Sequence, residues 1–442
     1  MASSLILSTL ALSTLSFSTL ALATPANAST NSNLTFSTPP YSIACNASLS
    51  QFQINIPEDD VQNLKSYLEL FRAPPLTYEN SDVGWDYGVP RDWLVNATCY
   101  WLDEYDWRKQ EAILNSVPQF KLGLNDSDGE SYSIHFAALF SPNKSAIPII
   151  LSHGFPDSYM IYMPILQKVQ QLYAVTPDDL PYHLIVPSLI GTGFSSHPPL
   201  TKQFFTTDNA RIFNELMKAL GFGTTGYIAQ GNDVGSMISE YMLTEFNECK
   251  AAHVTLWWGH PAYDPTTDLP ATDLEMYALQ RMTEINHWGE ANVLLHADRS
   301  STAGLTIGSN PISMLTWIGE RMVLWGDPNA PLSLDVILTD VSIYWFTRTY
   351  PTSYWVYAAF RTAVNGSEIN SIPDGPTLSG KPLGYSWFPN EVGEPPKSYF
   401  DKYTSIFNYF YQHDQGSHWS ATDQPDVLWA DIEDFVGNAW KA

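Results

Sequence analysis

The stretch Tyr227-Ile-Ala-Gln-Gly-Asn-Asp233-Val-Gly235-Ser236 decides how this chain of 442 residues is read. Tyr227 to Ala229 have the character of a buried strand end, and from Ser236 the apolar residues of Met237-Ile-Ser-Glu-Tyr-Met-Leu recur at helical spacing. Gly231 and Gly235 stand two positions either side of Asp233. A sharp strand-to-helix turn needs small residues at those places, because a side chain there would collide with neighbouring backbone. One reading makes this a Gly-rich turn with a helix-capping Asp. The other makes Asp233 the nucleophile at the apex of an elbow, where serine is more common. The pentapeptide alone leaves both open.

Around this stretch, from Tyr132 onward, short apolar runs alternate with helical segments. The pattern predicts strands at His135–Phe140, Ile147–Ser152, His183–Pro187, Gly226–Ala229 and His253–Trp258, with helices at Phe213–Leu220 and Ser236–Phe246. Such alternation implies an α/β fold with a mostly parallel sheet covered on both faces. Ligands then bind beyond the carboxyl ends of the strands, where Asp233 would sit. After His260-Pro261 the rhythm gives way to aromatic-rich helical sequence until about Lys381, read as a lid inserted over the sheet. The strand pattern returns at Leu383–Phe388 and Phe407–Tyr411, and a helix over Asp426–Trp440 ends the chain. Towards the N-terminus, Phe52-Gln-Ile-Asn-Ile56 alternates like a strand. A helix capped by Asp59 or Asp60 should carry Val61, Leu64, Leu68 and Leu70 inward. The segment from Trp85 to Glu111 reads as surface helices packed on something larger.

Three further segments supply chemistry in an order that suits the elbow. Ile147–Ser152 runs into His153-Gly-Phe-Pro156, whose backbone N–H at Phe155 could pair with that of Val234 as a two-donor oxyanion hole. His418, on the small-residue loop Gly416-Ser-His418 after the last strand, is placed as a base. His413 in the same loop reads as structural. Glu391 follows the preceding strand and could orient the imidazole, with Glu394 as the alternative carboxylate. Tyr350, Tyr354 and Tyr357 fall at i, i+4 and i+7, one face of a helix, a stripe that usually means packing.

The formal charge is −25, from 46 acidic and 21 basic side chains, which argues against nucleic acid as a partner. Cys45, Cys99 and Cys249 make no metal-ligand spacing, so neither a metal nor a cofactor is expected. Leu5 to Ala23 is apolar and ends near small-x-small sites. It reads as a secretory signal peptide, with an uncleaved membrane anchor as the alternative. Sequons at Asn33, Asn46, Asn96, Asn125, Asn143 and Asn365 point the same way, to a glycosylated protein that is secreted or held in the ER lumen. In that compartment a Cys45–Cys99 bridge would be permitted.

With these pieces placed, the chain from Phe52 onward resembles the microsomal-type epoxide hydrolases, particularly their fungal branch. His153-Gly-Phe-Pro156, Gly231-Asn-Asp233-Val-Gly235 and Gly416-Ser-His418-Trp-Ser-Ala are similar to that family's oxyanion, nucleophile and histidine motifs. The resemblance implies an α/β-hydrolase fold. Residues 1–28 would be the signal peptide or anchor, 29–131 a linker and wrapping extension, 132–261 the first part of the core, 262–381 the lid and 382–442 the rest of the core. It also implies that Asp233 attacks an epoxide carbon and that His418, oriented by Glu391, activates water against the resulting ester. A lid tyrosine at Tyr357 would meet the epoxide oxygen. Asn292 stands where the family carries a second tyrosine, with Tyr277 as a substitute donor. Asn292 and Trp345 would line the substrate site, and the aromatic lid implies a hydrophobic epoxide. The partners expected are that epoxide, water and a second copy of the chain as a homodimer. Two alternatives share the elbow: an epoxide-opening cyclase or rearrangement enzyme, and a ligand-binding protein without catalysis. Val234, where resembling dehalogenases carry tryptophan, makes haloalkane chemistry the weaker choice.

Overall fold

The computed structural model describes residues 35–257, 266–360, 380–403 and 407–441. A nine-stranded sheet runs through the molecule in the order β1-β2-β3-β5-β4-β6-β7-β8-β9. The strands are β1 (Ala47–Phe52), β2 (Gln119–Asn125), β3 (Ser131–Leu139), β4 (Ile147–Ser152), β5 (Tyr182–Pro187), β6 (Tyr227–Gly231), β7 (Cys249–Val254), β8 (Leu383–Trp387) and β9 (Phe407–Gln412). From β5 to β9 the pairings are parallel, and β1, β2 and β3 extend the sheet antiparallel. β4, β5 and β6 are apolar nearly throughout and buried, as strands covered on both faces must be.

The N-terminal segment departs from the expected pattern. The strand ends at Phe52, and β1 pairs with β2, which the alternation did not single out. Ile54 and Ile56 are buried outside any strand because side chains satisfy their backbone. Ile54 N–H donates to Asn115 Oδ1 at 2.9 Å and Ile56 N–H to Glu111 Oε1 at 2.7 Å. Helix α1 (Glu58–Glu69) follows Pro57 with no side-chain cap, so Asp59 and Asp60 lie in its first turn. Val61, Leu64 and Leu68 face inward, whereas Leu70 lies past the helix end and is exposed. Helices α2 (Arg91–Asp103) and α3 (Trp107–Leu114) pack on the body, the latter capped by Asp106. Cys45 and Cys99 are exposed and unbridged. Cys99 lies on the outward side of α2, while Leu94, Ala97 and Trp101 turn in.

Between β4 and β7 the chain adds α4 (Met163–Leu172), α5 (Thr206–Ala219) and α6 (Val234–Glu245), the last beginning directly at the elbow. The strand expected at His253–Trp258 lies earlier, at β7, because Tyr227 and Gly231 of β6 set its register against Cys249 and Val254. Between β7 and β8 comes a helical insertion: α7 (Asp273–Gly308), α8 (Pro311–Leu324) and α9 (Leu334–Thr347), then a 3-10 turn over Tyr354–Phe360. Helix α7 is kinked at Arg299, whose φ/ψ of −131°/35° are not helical. The 3-10 turn starts at Tyr354, so Tyr350, Tyr354 and Tyr357 do not share a face of one helix. They meet instead around Phe155. The chain closes with α10 (Lys397–Phe400), α11 (Ser420–Asp423) and α12 (Pro425–Ala439). Among the described residues no helix is long and apolar enough to cross a membrane. The expected signal peptide or anchor and His260-Pro261 lie outside the described residues.

Candidate active site

Asp233 sits where β6 turns into α6, with φ 47° and ψ −123°. A non-glycine residue held there costs about 1–3 kcal/mol, so its surroundings must enforce it. They do so through close backbone approach. A Cβ on Gly231 would overlap the backbone of Gly235, and one on Gly235 would overlap the carbonyl of Ser152. Ser236 Oγ donates to Gly231 O at 2.8 Å and tightens the turn. The turn aims the carboxylate at the loop after β4, where Phe155 N–H donates to Asp233 Oδ2 at 2.8 Å. The N–H of Val234 also bonds the carboxylate, so the two expected donors converge on it. Gly154 leaves the space that Asp233 occupies, since a Cβ there would strike the aspartate side chain.

His418 and Glu391 arrive from the two strand ends beyond. The loops after β8 and β9 are tied by a parallel bridge between Asn390 and Ser417 and by Asn390 N–H donating to Gly416 O at 3.1 Å. Gly416 adopts φ 109°, and a Cβ there would meet Phe388, so this loop needs glycine. As a result His418 Nδ1 lies 2.5 Å from Glu391 Oε1, which also accepts the N–H of Val392 at 2.6 Å. On the other side of the ring His418 Nε2 stands 4.0 Å from Asp233 Oδ1. Glu394 lies elsewhere, accepting the hydroxyl of Tyr385 at 2.9 Å. His413 is bonded to Asp431 at 2.6 Å and stacks on Phe388, a structural arrangement.

The charges follow from burial and proximity. Burial pushes Asp233 up to about 6, against the opposing pull of His418 and the Phe155 N–H. Burial would push His418 down, but the Glu391 carboxylate, by charge and hydrogen bond, together with Asp233 and Asp157, outweighs it and raises the imidazole to about 9. Near neutral pH the centre therefore holds an ionised Asp233 beside an imidazolium.

The helical insertion closes the other side. The ring of Phe155 is surrounded by Tyr344, Tyr350, Tyr354 and Tyr357, with Tyr357 nearest at 5.5 Å. Burial and then the charge of Asp233 raise the Tyr357 hydroxyl, and Asn292 hydrogen-bonds it. Tyr344 donates to Asp157 O at 2.9 Å and is occupied. Tyr277 donates to Asn390 Oδ1 at 2.7 Å rather than joining Tyr357. Trp345 is not part of this group. It packs on Tyr67 of α1 at 5.3 Å, because α9 turns that face towards the N-terminal segment. Sequence reasoning overlooked His296, which is fully buried, stacked on Tyr354 and in contact with Tyr357. Its position one turn after Asn292 was the available signal.

This architecture has known counterparts. Residues 49–162 match the family model for the epoxide hydrolase N terminus, and residues 147–274 that for the alpha/beta hydrolase fold. A putative epoxide hydrolase of Dothistroma septosporum is 36% identical over 393 residues, 88% of this chain and 90% of that one. The structure of Aspergillus niger epoxide hydrolase superposes with a TM-score of 0.79 at 36% identity, covering 92% of this chain and 100% of that chain. The juvenile hormone epoxide hydrolase from the silkworm Bombyx mori shares the fold, with a TM-score of 0.71 at 22% identity over 88% of this chain and 94% of that one. The elbow, the paired carboxylate and imidazole, and these likenesses along most of its length make this chain a member of the epoxide hydrolase family, built on the α/β-hydrolase fold.

Proposed function

We propose that this enzyme opens its epoxide in two steps through a covalent ester on Asp233. The observation that carries the reading is the division of labour between the two carboxylate oxygens. Oδ2 is held by Phe155 N–H at 2.8 Å, while Oδ1 lies on the His418 side at 4.0 Å. Oδ1 attacks an oxirane carbon, the carbon–oxygen bond breaks, and the epoxide oxygen takes a proton from Tyr357. An ionised carboxylate is a nucleophile at neutral pH without prior deprotonation. Ester formation removes the negative charge of Asp233, one of the interactions that keep His418 protonated, so the imidazolium gives up its proton, which restores Tyr357 by way of water, and the neutral imidazole is a base when one is needed. Water then adds to the ester carbon and gives its proton to His418. Oδ2, now the carbonyl oxygen, carries the developing charge against the N–H groups of Phe155 and Val234. Collapse of this intermediate releases the vicinal diol with a proton from His418 and leaves Asp233 as the acid, which passes its proton to the imidazole and restores the resting pair.

Single turnover in heavy-oxygen water distinguishes the alternatives. The ester route gives a first diol without label, because its new oxygen is Oδ1 of Asp233, and leaves the label on the enzyme. Label in the first diol contradicts the route, and a cyclic product free of label selects the cyclase.

The helical insertion serves in this reading as a lid. Passage through the secretory pathway is also inferred, since the sequon residues Asn46, Asn96, Asn125 and Asn143 are all exposed. Peptide N-glycosidase should then increase the electrophoretic mobility of protein from a eukaryotic host. Unchanged mobility contradicts the inference.

A further inference from the structure

The proposed mechanism leaves a fully buried histidine unused. His296 and Asn292 leave the same face of α7, one turn apart. The His296 ring lies 4.4 Å from Tyr354, 4.6 Å from Tyr357 and 6.1 Å from Phe155, whose N–H holds Asp233. Among the described residues neither ring nitrogen has a hydrogen-bond partner, and Asn292 Oδ1 has none either. Buried polar atoms in folded proteins are almost always paired, so three orphans around one catalytic side chain ask for an explanation. Ring stacking accounts for an aromatic residue at 296 but not for its nitrogens. His418 Nε2 is likewise unpartnered, and it is the atom that must meet a reactant.

The donor and acceptor pattern narrows what would fit. Burial, then the charge of Arg321, lowers His296 to about 3, so the ring is neutral and offers one N–H and one acceptor nitrogen. Asn292 lowers the Tyr357 hydroxyl by hydrogen bonding, as an N–H donated to the phenol oxygen would, and its own carbonyl oxygen is left over. A hydroxyl can accept from His296 and donate to Asn292 at once. An alkyl group would leave both unpaired, and a carboxylate would set an acceptor against an acceptor.

We propose that Asn292 and His296 form a hydroxyl-binding subsite beside Tyr357, so that the preferred substrates are epoxy alcohols, with the hydroxyl on the carbon next to the oxirane. This rests on the epoxide-opening reading above.

The test uses trans-3-phenylglycidol, its O-methyl ether and trans-β-methylstyrene oxide, which differ only in carrying hydroxyl, methoxyl or hydrogen. On the full-length protein kcat/KM should be about ten- to a hundredfold higher for the alcohol than for the deoxy epoxide, as a hydrogen bond to an otherwise unpaired buried group provides. The ether, which accepts but cannot donate, should fall between. Asn292→Leu should bring alcohol and ether together, and His296→Phe, which keeps the stack, should reduce the preference towards unity. Equal kcat/KM for alcohol and deoxy epoxide on the unmodified protein overturns the subsite while leaving the role of Asp233 intact. If none of the three is opened, the epoxide reading fails. Tryptophan fluorescence with unreactive cinnamyl alcohol and β-methylstyrene then decides the subsite. Tighter binding of the alcohol, reduced in both variants, supports it, and equal binding overturns it.

Discussion

The two sides of the site are built by different means. On the sheet side Asp233, Glu391 and His418 stand at the carboxyl ends of β6, β8 and β9, and backbone fixes each one. Glycines at 231 and 235 force the elbow, and the Asn390–Ser417 bridge brings the last two loops together. On the insertion side Tyr357 and His296 are placed by ring packing around Phe155, and Asn292 and His296 keep polar atoms without hydrogen-bond partners among the described residues. In the proposed mechanism, bond making belongs to the part whose geometry is determined locally. Substrate selection, in the proposed subsite, belongs to the helical insertion, whose side chains lie outside the sheet.

This division predicts a graded response. Asp233→Ala removes the bond-forming oxygen and should lower kcat by about 10⁴-fold or more in steady-state assays, as removal of a covalent nucleophile does. Tyr357→Phe removes one proton donor and should cost about 10²-fold in kcat/KM. A loss from Tyr357→Phe as large as that from Asp233→Ala would dissolve the distinction. The pH profile should show the smallest effect. Asp233 is active when ionised and burial raises it to about 6, so kcat/KM of the free enzyme should fall as pH drops through that value. At pH 5 about a tenth of the plateau remains, from one proton on one group. A profile flat down to pH 5 would contradict the upward shift of that carboxylate.

The same contrast explains what could be read from the sequence. The sheet side was legible because its signals are local. A strand, a glycine pair and a polar residue within ten positions specify the elbow, and chain order identifies the partners at Glu391 and His418. The insertion side was legible only at Tyr357 and Asn292, through the family resemblance, because its other contacts join residues far apart in sequence. Trp345 and Tyr357 look alike as lid aromatics, yet one packs on Tyr67 of the N-terminal segment and the other on Phe155. Tyr350, Tyr354 and Tyr357 have helical spacing without a shared helix, since a 3-10 turn starts between them. Spacing also misled at Ile54 and Ile56, where Asn115 and Glu111 do for the backbone what a neighbouring strand would have done.

The central claim is a covalent bond to Asp233, and it can be caught directly. In His418→Gln the carboxylate and its oxyanion donors remain, but the base that clears the ester is gone. Mixed with styrene oxide and examined by intact-protein and peptide mass spectrometry, this variant should gain the mass of one epoxide on the peptide containing Asp233, with turnover lower by about 10²- to 10⁴-fold. Full turnover without an adduct, or an adduct on another residue, would contradict the account.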